Sequence, residues 1–177
     1  LIVGLAPAAH GGNRTGRMFT GDRSGDWLYG ALHAFGFASQ PESVGRDDGL
    51  KLRDCYITAA VRCAPPANKP HPVEFERCRL YLIEEIKLLE KVRVVVALGK
   101  IGFDAFLKAR RANGGASLRP RPEFGHGREF TLADDLTLLA SYHPSQQNTF
   151  TGKLTRDMFA DVFRRARGLL ASARSSP

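Results

Sequence analysis

Val92-Arg93-Val94-Val95-Val96-Ala97-Leu98-Gly99-Lys100 is the stretch that decides the architecture. It is a run of β-branched and aliphatic residues with no polar alternation, closed by a glycine. A pattern of helical period begins at once behind it, over 100–111. A strand polar on one face would alternate, whereas this one reads as buried on both faces, as in a parallel sheet covered by helices. Working outward, residues 1–5, 55–59 and 136–141 have the same character and predict three more strands. Helical spacing predicts helices over 24–35, 72–89 and 154–170, the second opening on Pro72, which suits a first turn. Alternating strands and helices imply an α/β chain, a three-layer α/β/α sandwich with a central four-stranded parallel sheet. Its 177 residues suit one domain, 1–177. Residues 113–127, rich in Gly, Pro and Arg, read as a loop, and 172–177 as a frayed end.

The chain carries 26 Lys and Arg against 18 Asp and Glu, a net charge of +8, which favours a polyanionic partner, nucleic acid first. Charge alone leaves a solvated basic helix face, Arg164, Arg165, Arg167 and Arg174, as an equal reading. No apolar run reaches the ~18 residues that would suit a membrane span. The opening residues read as a strand rather than a secretion signal, and the first residue is Leu, so a segment ahead of it is expected. Three cysteines, an odd number, point away from a disulfide framework and leave core thiols or a metal site.

Parallel sheets bind ligands beyond the carboxyl ends of their strands, which here means 6–25, 60–72, 99–101 and 142–152. The first of these is long for a small domain and rich in Gly and Ala, with Asn13, Arg14 and Arg17 offering donors to phosphate or a base edge. The Gly-Lys-Ser/Thr of a P-loop is absent, which sets an NTPase aside.

Three segments carry a resemblance. They are Gly4-Leu5-Ala6-Pro7-Ala8-Ala9-His10-Gly11 with Arg17-Met18-Phe19-Thr20-Gly21-Asp22, then Tyr56-Ile57-Thr58-Ala59-Ala60-Val61-Arg62-Cys63-Ala64-Pro65-Pro66, then His143-Pro144-Ser145-Gln146-Gln147-Asn148. In this order the chain resembles the uracil-DNA glycosylase superfamily, and within it the type-b (family 5) branch of broad base specificity. The likeness spans nearly the whole sequence.

The resemblance implies a monofunctional DNA-repair glycosylase. It would flip uracil, hypoxanthine, hydroxymethyluracil or thymine opposite guanine out of DNA and hydrolyse the N-glycosidic bond. His143, Asp22 and Asn68 would be catalytic. Leu5, Ala6, Ala8, His10, Asn13, Phe19 and Ala59 would line the base pocket, with Phe19 stacking on the base. Relatives place an aspartate where this chain has Ala6, or a glutamate where it has Leu5, so the usual water-orienting carboxylate is missing and Asp22 is the candidate in its stead. Asp22 also reads as a helix N-cap, and Asn68 as an ordinary turn residue. Ala59 stands where strict uracil enzymes carry an asparagine, which implies loose discrimination. Gln146, Gln147 and Asn148 would wedge the duplex open, with Arg14, Arg17, Ser145, Lys153 and Arg156 on the backbone.

Cys63 and Cys78 match two of the four cysteines that hold a four-iron–four-sulfur cluster in the resembling family, the other two being expected in a missing N-terminal segment. By spacing alone they read equally as core thiols. Further expectations are a monomer in the cytoplasm acting on double- and single-stranded DNA, with no membrane association. The rival readings are a non-catalytic DNA-damage-binding module and a hydrolase of free nucleosides.

Overall fold

The computed structural model describes residues 1–116, 118–133 and 135–175, with the side chains of Asn68, Arg174 and Ser175 outside the described set. Four parallel strands form the centre: β1 (Ile2–Gly4), β2 (Ile57–Ala59), β3 (Val94–Leu98) and β5 (Thr137–Ser141). A fifth, β4 (Glu129–Thr131), runs antiparallel to β5 at the sheet edge, giving the order β2-β1-β3-β5-β4. The expected count of four is thus corrected by one. With three residues, two of them exposed, β4 has no apolar run to betray it.

Successive residues of β3 point to opposite faces, and each face meets its own helices. Val94, Val96 and Leu98 pack with Ile2 and Leu139 against α2 (Arg23–Ala34) and α6 (Arg156–Ser175). Val95 and Ala97 pack with Val3, Leu138 and Ala140 against α3 (Pro72–Leu88) and α4 (Gly99–Ala112). This makes three layers with two cores, as the unalternating strand implied. At Gly102 an added Cβ would sit 2.5 Å from the Val3 carbonyl oxygen, so α4 lies directly on β1. Two short helices complete the chain, α1 (Gly12–Thr15) and α5 (Gln146–Phe150), both beyond strand carboxyl ends. Among the described residues no helix is long and apolar enough to cross a membrane.

Candidate active site

The carboxyl ends of β1, β3 and β5 converge on one cluster. His143 lies two residues past β5, and its ring is 5.7 Å from that of Phe19, tilted by 32°. Phe19 in turn covers the end of β1, since a Cβ added at Gly4 would meet its ring at 3.1 Å. A Cβ added at Gly99, just past β3, would lie 3.3 Å from the His143 Cβ. The glycines at the strand ends therefore make the room that the two rings occupy.

Phe19 is held by its own backbone. It takes φ 58°, a left-handed conformation that is uncommon for an aromatic residue. The first turn of α2 presses on it, with Gly25 so close that a Cβ there would lie 1.9 Å from the Phe19 carbonyl oxygen. Gly11 also presses on the next residue, since a Cβ added there would lie 2.5 Å from the Thr20 carbonyl oxygen. Thr20 is buried and its hydroxyl shares a 2.7 Å hydrogen bond with Ser43. The ring is thus a preformed platform.

Asp22 is the N-cap of α2, its Oδ1 accepting from the Gly25 N–H at 2.8 Å. The other carboxylate oxygen faces the glycine loop at Gly11. Burial raises its pKa, an effect opposed by the backbone N–H groups it accepts from.

Burial also pushes the His143 pKa down, to about 4, so the imidazole is neutral at physiological pH and presents an N–H donor. The unfolded chain takes up a proton near the ordinary value of 6.5, while the folded protein refuses it until about 4. Stability contributed by this histidine is therefore present above pH 6.5, falls as pH drops towards 4, and then levels. The loss is about 3 kcal/mol at most. Urea titrations between pH 7 and 4 should show a shallower decline for His143→Gln than for the unaltered protein. Parallel declines would mean that the ring is solvated.

The peptide after His143 is clamped. Asn148 Nδ2 donates to the His143 carbonyl at 2.9 Å, and Ser145 caps α5 by accepting from the Asn148 N–H. Asn148 is therefore engaged within the protein, whereas Gln146, Gln147 and Phe150 are exposed on α5. Phe150 carries the Arg23 guanidinium 4.8 Å above its ring. Lys153 lies 4.8 Å over the Tyr142 ring, and Arg156 4.1 Å over Trp27. Each of these cations thus covers an aromatic ring.

Arg17 is engaged within the protein. It donates to both Asp48 oxygens at 2.7 and 2.9 Å, to Ser43 at 3.0 Å and to the Arg46 carbonyl at 2.8 Å. Burial alone would raise the Asp48 pKa, but Arg17 and three backbone N–H groups hold it well below the usual carboxylate range. The pair ties the 43–48 segment under the Phe19 loop. Arg14, His10 and Asn13 remain exposed, and Asn13 Oδ1 accepts weakly from the Ala64 N–H at 3.5 Å. Leu5, Ala6 and Ala8 are half-buried and Ala59 is buried at the end of β2.

The exit of β2 is anchored by Glu85 of α3, which accepts from Thr58 at 2.6 Å and from Tyr56 at 3.0 Å and pairs with Arg62 at 2.6 Å. Arg62 also sits over Tyr81. Cys78 stands one turn before Tyr81 and two before Glu85, on the same face of α3. Cys63 is exposed and Cys78 half-buried, both free thiols. Cys55 packs against the α2–α6 core and burial pushes its thiol up to about 11, which disfavours the thiolate a metal needs. Among the described residues no group of three or more His, Cys, Asp or Glu could hold a metal ion, so these residues alone do not make a four-thiolate site.

Residues 1–167 match the model of the uracil DNA glycosylase superfamily. The chain belongs to this superfamily. It is 52% identical over 170 residues to a Type-5 uracil-DNA glycosylase of Mycobacterium bovis, a match covering 96% of this chain and 62% of the relative. It is 52% identical over 169 residues to a Type-5 uracil-DNA glycosylase of Thermus thermophilus, covering 96% of the chain and 74% of that protein. A Type-4 uracil-DNA glycosylase of Pyrobaculum aerophilum is 30% identical over 164 residues, covering 89% and 74%. The chain thus spans a little under two thirds of its mycobacterial relative. The rings of Phe19 and His143 lie together at the carboxyl ends of β1 and β5, and Asp22 caps α2. Asn68 begins no regular element of its own, lying in a 3-10 turn (Pro66–Asn68), and its side chain lies outside the described residues.

Proposed function

We propose that this protein excises uracil from DNA by hydrolysing the N-glycosidic bond. The observation that carries the reading is a neutral imidazole beside a fixed aromatic ring at the mouth of a parallel sheet. The flipped base stacks on Phe19, and the His143 N–H donates to the pyrimidine O2. The bond from C1′ to the base nitrogen breaks, its electron pair passing to the base, where His143 stabilises the anion. A water oxygen then bonds to C1′ and releases its proton, leaving an abasic site and free uracil. With apolar Leu5 and Ala6 in place of a carboxylate, the cation-like sugar relies on Asp22, whose second oxygen faces the glycine loop. Asn68 completes the catalytic set. Ala59 offers the base edge no side-chain donor, which favours a broad range: hypoxanthine, hydroxymethyluracil and thymine opposite guanine besides uracil.

DNA, double- or single-stranded, lies across the rim of Arg14, Ser145, Lys153 and Arg156, with Gln146, Gln147 and the exposed Phe150 against the duplex. Cys63 and Cys78 are the two thiolates this chain offers to a four-iron–four-sulfur cluster, whose part would be structural. The protein works as a monomer in the cytoplasm.

The test is a labelled duplex with a single uracil, hypoxanthine or thymine opposite guanine, with abasic sites revealed by alkali. Alkali-dependent cleavage supports the reading, and a folded protein that cleaves none of them leaves a damage-binding module. The wedge has its own test. Gln146→Ala/Gln147→Ala/Phe150→Ala, which leaves the clamp Asn148 untouched, should weaken duplex binding by about 10-fold or more. Unchanged duplex binding and excision would remove these three residues from the duplex contact.

A further inference from the structure

His126 lies outside every motif yet touches three parts of the fold. Its Nδ1 accepts the Tyr142 N–H at 3.1 Å, and its Nε2 is 3.2 Å from the Met158 carbonyl oxygen in the first turn of α6. A backbone N–H can only donate, so Nδ1 is unprotonated, and the ring is the Nε2–H tautomer donating to Met158. The ring stacks on Tyr142, centroids 5.1 Å apart at 28°.

The position in the sheet explains why a side chain is needed. Gly127 N–H donates to the Ala140 carbonyl and Ala140 N–H to the Arg128 carbonyl, which pairs the approach to β4 with β5. The next N–H of this strand on the same side is that of Tyr142, and there the neighbouring backbone has turned away. The imidazole supplies the missing acceptor. Tyr142 directly precedes His143, whose carbonyl is held by Asn148. The peptide chain is thus gripped on both sides of His143, and the Tyr142 ring carries Lys153.

We propose that His126 is a positioning residue for His143, fixing the exit of β5 through the Tyr142 N–H so that the catalytic ring meets Phe19 and the base. Its effect on excision rests on the activity proposed above. The two ring nitrogens can be separated by substitution. His126→Asn places an amide oxygen where Nδ1 was and keeps the acceptor for Tyr142. His126→Gln places an amide nitrogen where Nε2 was and keeps only the Met158 contact. His126→Ala removes both.

Amide hydrogen exchange of Tyr142, Tm, duplex Kd and the single-turnover excision rate should be measured on all four proteins. Tyr142 should be protected in the unaltered protein and in His126→Asn, and exchange rapidly in His126→Gln and His126→Ala. Excision should follow that protection, within about 3-fold for His126→Asn and down about 10–100-fold for the other two, with Kd unchanged. The proposal is overturned if excision follows Tm instead of Tyr142 protection, or if the Asn and Gln variants behave alike. If the unaltered protein excises no base, the proposed activity fails, and exchange alone then decides whether the clamp exists. Should His126→Ala not fold, the Asn and Gln pair still separates the outcomes.

Discussion

His143→Ala should lower the single-turnover rate of uracil excision by about 10²–10³-fold while leaving duplex affinity within about 3-fold. The magnitude is that of removing one preorganised donor from a developing anion, about 3–4 kcal/mol of transition-state stabilisation. Two features of the site put the effect at that level. The imidazole is neutral, with a pKa near 4, so its N–H needs no prior loss of a proton at pH 7. It is also fixed on both sides, by the ring of Phe19 and by the Asn148 bond to its carbonyl, so little reorganisation is required when the base leaves. The ring is not an element of the deep core, so truncation should leave the fold standing. Rapid-quench assays on a uracil-containing duplex would check this, and a rate within about 3-fold of the unaltered protein would remove His143 from the chemistry.

Gly25→Ala should be the most damaging single methyl group in the chain. The new Cβ would lie 1.9 Å from the Phe19 carbonyl oxygen and 2.9 Å from its carbon. Both are backbone atoms, so no side chain can swing aside. Either α2 withdraws, breaking the Asp22 cap at Gly25, or the Phe19 peptide moves and takes the stacking platform with it. Overpacking of this severity costs about 3 kcal/mol or more, with excision falling at least about 100-fold. The contrasting control is Gly168→Ala on the exposed face of α6, where nothing lies within 4 Å. That change should raise stability by about 0.5–1 kcal/mol through helix propensity. Urea denaturation of the two variants, with excision assayed alongside, gives opposite signs if the contact geometry is as described. A Gly25→Ala protein of ordinary stability and rate would mean that α2 does not bear on Phe19.

The two cores were legible because β3 is apolar without alternation and the helices keep a strict period. Helices expected over 24–35, 72–89 and 100–111 lie at Arg23–Ala34, Pro72–Leu88 and Gly99–Ala112. The last one, expected over 154–170, starts at Arg156 and runs on to Ser175, since Ala171, Ala173 and their neighbours favour helix even where little is left to bury. The short elements escaped. In α1 the segment Gly12–Thr15 has too few residues for any period to show, and β4 is held by one hairpin rather than by an apolar face. Side-chain roles were harder still. The pairing of Arg17 with Asp48 joins positions far apart along the chain, and a local pattern carries no trace of such a partner. Asn148 shows the same difficulty at close range. His126 was invisible because its work is done by a ring nitrogen standing in for a backbone acceptor, in a glycine-rich stretch that reads as plain loop.

The strand order has a consequence for how the molecule comes into being. β1, the first of the described strands, pairs on one side with Ile57 and Thr58 and on the other with Val96 and Ala97. As the polypeptide leaves the ribosome, β1 must wait until Val96 and Ala97 are made before both neighbours exist. Contacts so distant in sequence make for slow assembly and leave apolar edges bare meanwhile. The mouth of the sheet is completed later still, when β5 slides beside β3 and brings His143 to a Phe19 synthesised long before. A nascent chain stopped short of Ser141 would therefore own the stacking ring without its partner, and such chains would depend on chaperones rather than on their own cores for protection.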